Sequence, residues 1–391
     1  MLTYARKLWR WGERVIPSEG FFLERPAVLF QSDDWGRIGL RDGDGVEALR
    51  AEGLSPERPY DFYSLEHADD LAALNTILRK HRDSTGAPPR LGMNFLVFNL
   101  DLGRMRADEY RSIHLLPLAE GAPQGHSRPG LMDAYLAGVK AGVFAPALHG
   151  ITHFCPSAVE QVLKAEDERA GLLKSVWKAG APYIYWRMPW IGYEYWDPGR
   201  AEEKRFLSLE QQQNLIGTAV GGFAKLFSTL PHSACAPGYR ANDDTHRCWA
   251  QHGVHVVQNG PGRSLPVHFD RYGLLHLCRT VEFEPATDPE FSLEKCVQQA
   301  EASFGRGLPA IVSVHSINFQ SKVRDFRSRT LQLLDQFLLT LEAKHADILY
   351  LRDEDMFEIV RRGFYSSQGS AVPVKVTKKR FTKMSWSPVV A

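Results

Sequence analysis

The feature that most constrains the fold is the alternation of short apolar, β-branched runs with longer amphipathic stretches along most of the chain. Eight runs predict strands, at 27–30, 93–98, 143–148, 234–236, 254–258, 274–278, 310–314 and 348–351. The stretches between them predict helices at 66–82, 131–140, 157–178, 207–227, 245–252, 293–304 and 321–344, with N-caps at Ser157 and, for a last short helix to 360, at Asp353. Strands alternating with helices are typical of a parallel sheet covered by helices. We therefore predict an α/β fold, a distorted (β/α) barrel of seven or eight parallel strands, with a doubly wound open sheet as the alternative.

Length leaves the number of domains open, because 391 residues allow two or three ordinary domains or one elaborated barrel. We predict a barrel over 24–362, an N-terminal amphipathic extension over 1–23 and a basic C-terminal tail over 363–391. In the extension, Leu2, Ala5, Leu8, Trp9 and Val15 fall near one helical face. This face predicts either a helix docked on the barrel or one lying on an anionic membrane surface. The tail is expected to be mobile or loosely docked, with binding to phosphate or an anionic surface as the alternative.

Charge and cysteine usage exclude several classes of protein. Lys+Arg 47 against Asp+Glu 46 gives a net charge of +1, which argues against a dedicated nucleic-acid binder. Five scattered cysteines without a C-x-x-C pair exclude a disulfide framework and favour a reducing compartment. No apolar run reaches the ~18–20 residues of a membrane span, and the N-terminus lacks the apolar core of a signal peptide. We predict a cytoplasmic protein without a transmembrane segment, and peripheral membrane contact stays open.

Functional residues of a parallel barrel lie at the C-terminal ends of its strands, and acids and imidazoles follow two of the predicted strands. Asp33 and Asp34 follow the first strand, while His149 and His153 follow the third. If the histidine pair lies on one helical turn, both imidazoles face the same ion. With Asp34 they form a two-histidine, one-carboxylate face for a divalent metal, for which we expect zinc. Asp33 would then accept a proton from the attacking water.

Two further strand ends and one loop complete the candidate site. The segment from Pro237 to Arg240 offers a kinked backbone whose N–H groups and arginine suit an oxyanion. His315, directly after an apolar run, suits a general acid. Residues 182–200 crowd aromatic residues around prolines and glycines, which indicates a loop that either plugs one barrel end or stacks on sugar rings. The predicted substrate contacts are Trp35, Trp190 and Trp196.

The ordered motifs Ser32-Asp33-Asp34-Trp35-Gly36, His149-x-x-x-His153, Pro237-Gly238-Tyr239 and Val314-His315 resemble the polysaccharide deacetylase family. Members are metal-dependent carbohydrate esterases that remove N- or O-acetyl groups, using a distorted β/α barrel. The resemblance spans about residues 27–360. It implies a general base at Asp33, metal ligands at Asp34, His149 and His153, an oxyanion contact from the backbone N–H of Tyr239, and a general acid at His315.

The chain departs from the family pattern at several places. Cys235-Ala236 stand where the family carries the arginine that orients the base, and Arg240 is the predicted substitute. Ser313 replaces a leucine two residues before the acid, and the carboxylate that tunes His315 is expected at Glu282 or Glu284.

From these motifs we predict removal of N-acetyl groups from an amino sugar in a polysaccharide or glycoconjugate. The alternatives are an amidohydrolase of the same metal chemistry that acts on a non-sugar amide or cyclic imide, and a catalytically silent carbohydrate-binding protein.

Overall fold

The computed structural model describes residues 15–262 and 265–384. Its strands are β1 (Val15–Leu23), β2 (Ala27–Trp35), β3 (Leu91–Leu96), β4 (Phe98–Leu100), β5 (Leu115–Pro117), β6 (Phe144–Gly150), β7 (Ser233–Ala234), β8 (Val256–Asn259), β9 (His268–Phe269), β10 (Leu275–Cys278), β11 (Val281–Glu282), β12 (Ala310–His315), β13 (Leu349–Tyr350), β14 (Phe364–Ser367), β15 (Ser370–Pro373) and β16 (Val376–Met384). Its α-helices are α1 (Gly43–Ala51), α2 (Ala68–Lys80), α3 (Leu102–Ala107), α4 (Leu131–Lys140), α5 (Pro156–Ala165), α6 (Glu168–Lys178), α7 (Leu209–Phe227), α8 (Asp243–Gln251), α9 (Leu293–Gly305), α10 (Arg327–Lys344) and α11 (Asp353–Arg362).

One curled sheet forms the centre of the structure, in the strand order β11-β12-β2-β3-β6-β7-β8-β10-β9. Neighbours in this order are parallel, except for the antiparallel pair β9 and β10, and β13 adds to β2 in parallel. One stretch of chain connects the two sides of the curled sheet, because β11 follows β10 directly in sequence. Leu275 to Cys278 pair with β8, and Val281 and Glu282 pair with β12. The prediction of a distorted (β/α) barrel of seven or eight parallel strands is confirmed.

The barrel interior changes from apolar to polar towards the C-terminal ends of its strands. Leu29, Val256, Leu275 and Ile311 belong to one buried apolar cluster. Further along the strands, Gln258 accepts a hydrogen bond from Asn94 (2.6 Å) and donates one to Asp353 (2.7 Å), which also accepts one from Gln31 (2.9 Å). Buried polar groups stabilise a fold only when they are hydrogen-bonded, and this layer is connected from strand to strand. It forms the floor under the candidate active site.

All eight predicted strands are present, but both predicted N-caps are wrong, one predicted helix is split in two, and the helix predicted over 321–344 begins at Arg327. The stretch 157–178 forms two helices, because Glu166 adopts a left-handed backbone (φ 52°) and Asp167 caps α6 by accepting from the N–H of Arg169. The N-cap of α5 is Cys155 rather than Ser157. The N-cap of α11 is Arg352, and the side chain of Asp353 instead enters the polar layer of the barrel.

The two outer segments pair with each other, which corrects two expectations. β1 and β16 form an antiparallel two-stranded sheet, so Val15 belongs to a strand and the tail is ordered over 376–384. Ion pairs join Lys378 to Glu19 (3.1 Å) and Lys375 to Glu24 (2.9 Å). The remainder of the predicted N-terminal helix lies outside the described residues, and the domain boundaries stay a prediction. Within the described ranges, no helix combines the length and apolar character needed to cross a membrane.

Candidate active site

The adjacent carboxylates of Asp33 and Asp34 line one cavity at the C-terminal end of the barrel. The register between β2 and β3 shifts between Ser32 and Trp35, and Asp34 has a left-handed backbone conformation (φ 73°). This irregularity breaks the strand alternation that would send neighbouring side chains to opposite faces. The backbone carbonyl of Asp34 accepts hydrogen bonds from the hydroxyls of Tyr63 (2.6 Å) and Ser316 (3.2 Å), which hold the distorted turn.

The Asp33 carboxylate is held by a buried arginine that follows β10. Arg279 donates from Nη2 to Oδ1 (2.6 Å) and from Nη1 to Oδ2 (2.7 Å), and Asn94 donates to Oδ1 (2.5 Å). Burial opposes the charged form of Asp33, but the Arg279 cation outweighs it and holds the carboxyl pKa well below its usual range. Asp33 is therefore ionised at any working pH.

Arg279 corrects the assignment of Arg240 as the residue that orients the base. The Arg240 guanidinium lies 5.0 Å from the centre of the Trp196 ring, and in the described parts of the chain no hydrogen bond or ion pair joins it to Asp33. Arg279 also lies 3.6 Å from the Cys235 Sγ, so it occupies the space beside the position where the family arginine was expected. Applying the strand-end rule to the predicted strand 274–278 would have identified Arg279 from the sequence.

Asp34, His149 and His153 bring their ligand atoms to one point. Asp34 Oδ1 lies 3.6 Å from His149 Nε2 and 3.5 Å from His153 Nε2. His149 Nδ1 lies 2.8 Å from the Cys235 carbonyl, which only accepts, so Nδ1 carries the proton and Nε2 presents a lone pair. His149 is the penultimate residue of β6 and His153 lies in the loop that follows this strand, so the expected helical turn is absent from this described segment.

These three residues fit a divalent ion. Asp34 Oδ1 and His149 Nε2 are buried and find no hydrogen-bond partner within residues 15–262 and 265–384. Leaving such atoms unpaired is costly in a protein interior. Tetrahedral coordination with metal bonds of about 2.0–2.1 Å places ligand atoms about 3.3 Å apart, close to the separations found here. Two imidazoles and one carboxylate are a donor set that zinc accepts and that leaves coordination positions open.

Glu194 holds the loop that carries His153. Its Oε2 accepts a hydrogen bond from the Ile151 N–H (2.9 Å). The carboxylate packs so closely against Gly150 (φ 133°) that a Cβ there would lie 1.8 Å from Oε2. Burial raises the pKa of Glu194 to about 8. Glu194, which is fully buried, is not among the residues predicted from the sequence.

His315 lies next to Asp33, on the neighbouring strand, and is paired with Glu284. His315 Nε2 lies 3.8 Å from Asp33 Oδ2, and Nδ1 lies 2.6 Å from Glu284 Oε1. Asn318 holds the other oxygen of Glu284 at 2.7 Å. Burial disfavours the imidazolium, but the charge of Glu284 outweighs it and raises the pKa of His315 to about 9. Of the two expected carboxylates, Glu284 is the one in contact with the histidine, whereas Glu282 is exposed.

Tyr239 enters the site through its phenol rather than through its backbone. Its hydroxyl donates to Asp33 Oδ2 (3.2 Å) and accepts from Arg279 Nη1 (2.8 Å). Its N–H donates to the Ala236 carbonyl (2.8 Å), within a turn where Gly238 and Tyr239 both have positive φ. The oxyanion contact expected from this N–H is therefore contradicted in this conformation.

The aromatic loop lines the cavity, but with other residues than expected. Tyr183, Tyr185, Trp186 and Tyr193 line the cavity of about 410 Å³. Trp35 is fully buried, donates to Ser32 Oγ (2.8 Å) and stacks on Phe319. Trp190 packs near Arg169 and Trp196 near Arg205 and Arg240, and neither is among the residues that line the cavity. The three predicted tryptophan contacts are therefore wrong, because composition does not show which side chains of a loop face inwards.

No protein-family model matches the chain, and no curated protein matches it. Solved structures that resemble it include a putative polysaccharide deacetylase from Mycobacterium smegmatis, with 12% identity over 86% of this chain and 90% of that one and a TM-score of 0.45. A family 4 carbohydrate esterase from Streptomyces lividans in complex with acetate has 12% identity over 83% and 91%, with a TM-score of 0.35. An allantoinase has 11% identity over 87% and 92%, with a TM-score of 0.44. Polysaccharide deacetylases and carbohydrate esterases, which the motifs resemble, are thus among the solved structures similar to this chain.

Removing the two imidazoles should remove the metal. We expect about one divalent ion per chain at this site, lost in His149→Ala/His153→Ala, because one carboxylate alone holds zinc weakly. Elemental analysis of the purified protein measures the stoichiometry. His276→Ala is the matched control, because His246, Asp270 and His276 form a second group whose ligand atoms lie within 4.8 Å of one another. Metal that persists in the double variant, or that is lost only in the control, would contradict the assignment.

Breaking the Arg279 pair should destabilise the fold. Arg279→Leu leaves the buried Asp33 charge without its partner, and we expect a loss of about 3–5 kcal/mol in the free energy of unfolding. Adding Asp33→Asn should recover part of that loss, since the uncompensated charge is then gone. Arg240→Leu is the control and should cost less than about 1 kcal/mol, the size of a partly exposed cation–π contact. Denaturant titration measures all four proteins, and equal losses in the two arginine variants would refute the pairing.

Proposed function

We propose that this protein is a metal-dependent hydrolase that removes the N-acetyl group from an amino sugar. The observation that carries the proposal is the joint placement of a fixed carboxylate, a candidate metal triad and a carboxylate-paired imidazole around one cavity. Asp33 and His315 are register partners on the neighbouring strands β2 and β12, with 3.8 Å between Oδ2 and Nε2. A base and an acid at this separation suit amide hydrolysis, which needs a proton taken from water and a proton given to nitrogen.

The metal would be held by Asp34, His149 and His153. When bound, such an ion supplies Lewis-acid polarisation of the acetyl carbonyl and of water. Arg37 lies 3.6 Å from Asp34 Oδ2, and the two imidazoles lie near Oδ1, so each carboxylate oxygen has its own neighbours. This arrangement leaves Oδ1 directed at the proposed ion.

Asp33 and His315 have complementary proton chemistry. Asp33 is ionised and fixed by Arg279, so it is ready to accept a proton from the attacking water. After the amine has left, this proton passes from Asp33 to His315, 3.8 Å away, which restores both groups for the next turnover. His315 is protonated at neutral pH because of Glu284, so it can donate to the departing nitrogen. The products are acetate and the free amino sugar.

The aromatic walls support a sugar as the substrate. Tyr183, Tyr185, Trp186 and Tyr193 present flat apolar faces and hydroxyl groups to the cavity. Rigid aromatic side chains with a polar edge suit the apolar faces and hydroxyl rims of a pyranose ring.

An acetate-release assay with active-site variants tests the proposal. We expect turnover of N-acetylhexosamines, free or linked to nucleotide or lipid, but not of a cyclic imide or a simple aryl acetamide. Asp33→Asn should lower kcat by about 10²–10⁴-fold with metal content unchanged, as expected for loss of a general base. Asp34→Asn should lower the metal content.

Three outcomes would count against the proposal. Near wild-type kcat in Asp33→Asn would place the base elsewhere. Turnover of the cyclic imide alone would indicate an amidohydrolase with a non-sugar substrate. Absence of turnover by fully metallated protein would indicate a carbohydrate-binding protein without activity.

The pH profile should depend on Glu284. An acid must be protonated to act, so kcat falls as pH rises through the pKa of His315, which is about 9. Glu284→Gln removes the negative charge that raises this pKa, so the alkaline limb of kcat should move to lower pH, towards the ordinary histidine value of about 6.5. Glu282→Gln, at an exposed neighbouring carboxylate, is the control and should leave the limb in place. An unmoved limb in Glu284→Gln would show that His315 is not the acid.

A further inference from the structure

Two chain segments join into a wall on one side of the candidate active site. The first covers 55–63 and includes the 3-10 helix Pro59–Phe62, and the second is the start of the aromatic loop. Arg187 donates to the Ser55 carbonyl and to the Glu57 carboxylate, both at 2.9 Å. Trp186 Nε1 donates to Asp61 Oδ1 at 2.7 Å. These contacts close the gap between the two segments.

The wall begins beside the proposed acid. Tyr60, in the first segment, meets the His315 ring edge-on, with 6.1 Å between ring centres. Arg37 lies with its guanidinium 3.7 Å from the centre of the Tyr63 ring and donates to the Tyr183 hydroxyl of the second segment. An amide that lies against Asp33 and His315 therefore has protein directly next to it on this side.

Part of the cavity lining belongs to the protein interior. Leu40, Leu49 and Ile184 line the cavity, and each is at most 3% exposed. His126 Nε2 lies within hydrogen-bond distance of the Gly39 carbonyl (3.2 Å) and the Gly180 carbonyl (3.0 Å), and so ties together the segments that carry these side chains. A volume of about 410 Å³ is that of a small-molecule pocket. Buried apolar side chains on this part of the lining disfavour a second polar sugar unit there.

The number of exits limits the substrate. A residue inside a polysaccharide carries glycosidic bonds on both sides, so its neighbours must leave the site in two directions. A free sugar, or a residue at the end of a chain, needs no more than one exit. We propose, as a refinement that rests on the deacetylase function above, that this enzyme acts on free or chain-terminal N-acetylhexosamines and excludes the interior residues of a polymer.

The position of the lost acetyl group tests this directly. The probes are N-acetylglucosamine and its β-1,4-linked tetramer, incubated with metallated full-length protein, with acetate release followed and the deacetylated unit located by mass spectrometry. We expect turnover of the monomer and loss of one terminal acetyl from the tetramer, with interior acetyl groups removed at least tenfold more slowly.

Opening the wall should relax this selectivity. Trp186→Ala/Arg187→Ala removes the contacts to Asp61, Ser55 and Glu57, and we expect the ratio of interior to terminal deacetylation to rise at least fivefold. Arg169→Ala is the matched control, because Arg169 stacks on Trp190 at 5.9 Å in a similar arginine–tryptophan pair outside the cavity. The control should leave the ratio unchanged.

The outcomes separate this inference from the function on which it rests. Equal removal of interior and terminal acetyl groups by the wild type would overturn the terminal specificity and leave the deacetylase function standing. An unchanged ratio in the wall variant would also overturn it, since the wall would then not be what excludes the polymer. No acetate from either probe, nor from nucleotide- or lipid-linked sugars, would remove the deacetylase function itself.

Discussion

The buried ion pair between Asp33 and Arg279 is the interaction on which the rest of the site depends. Both charged groups are buried, and a buried ion pair is stable in a protein only if its remaining hydrogen-bonding atoms have partners. Asn94 and Tyr239 donate further hydrogen bonds to the Asp33 carboxylate. Gln258 and Ser313 accept hydrogen bonds from the Arg279 guanidinium. The Arg279 guanidinium explains why this sequence has Cys235 and Ser313 where the family pattern has other residues. Cys235 is small enough to lie against the Arg279 guanidinium, and Ser313 offers it an acceptor that leucine would not.

A second constraint is the repulsion between adjacent carboxylates. Asp33 and Asp34 would each raise the other's pKa if they shared one environment without cations. Here each has its own arginine, because Arg279 binds Asp33 and Arg37 lies 3.6 Å from Asp34. Despite burial, both carboxyl pKa values are held below the usual range, chiefly by these cations. The division of labour between the proposed base and the proposed metal ligand thus follows from which cation each carboxylate contacts, and from the left-handed turn at Asp34 that separates the two side chains.

The sequence predicted the barrel, and it predicted that Asp33, Asp34, His149, His153 and His315 lie together at strand ends, since apolar periodicity and parallel topology determine where strands end. It did not predict Arg279, because the search for the orienting arginine followed the family motif along the chain, whereas the curled sheet lets the residue after β10 reach Asp33 on β2, a strand that does not neighbour β10. It failed for the tryptophans because three-dimensional packing decides which aromatic residues of a loop face the cavity. The Tyr239 N–H was misassigned for a local reason, because two consecutive positive φ values direct it to the Ala236 carbonyl. The carboxylate that contacts His315 was predicted to be either Glu282 or Glu284, and the sequence alone did not distinguish the two.

Chemistry and selectivity therefore belong to different parts of this molecule. The proton-transfer groups and the candidate metal ligands come from the strand ends of the barrel or the residues that directly follow them, and connected polar contacts limit how far they can move. The wall that narrows the cavity comes from 55–63 and from the aromatic loop, which are joined to each other by side-chain hydrogen bonds and cation–π contacts such as Arg58 over Trp186 (4.4 Å). Contacts of this kind are individually weak and can be rebuilt without disturbing the barrel. The size of an accepted substrate can thus change by substitutions in two connecting segments, while the buried pair that positions the base stays intact.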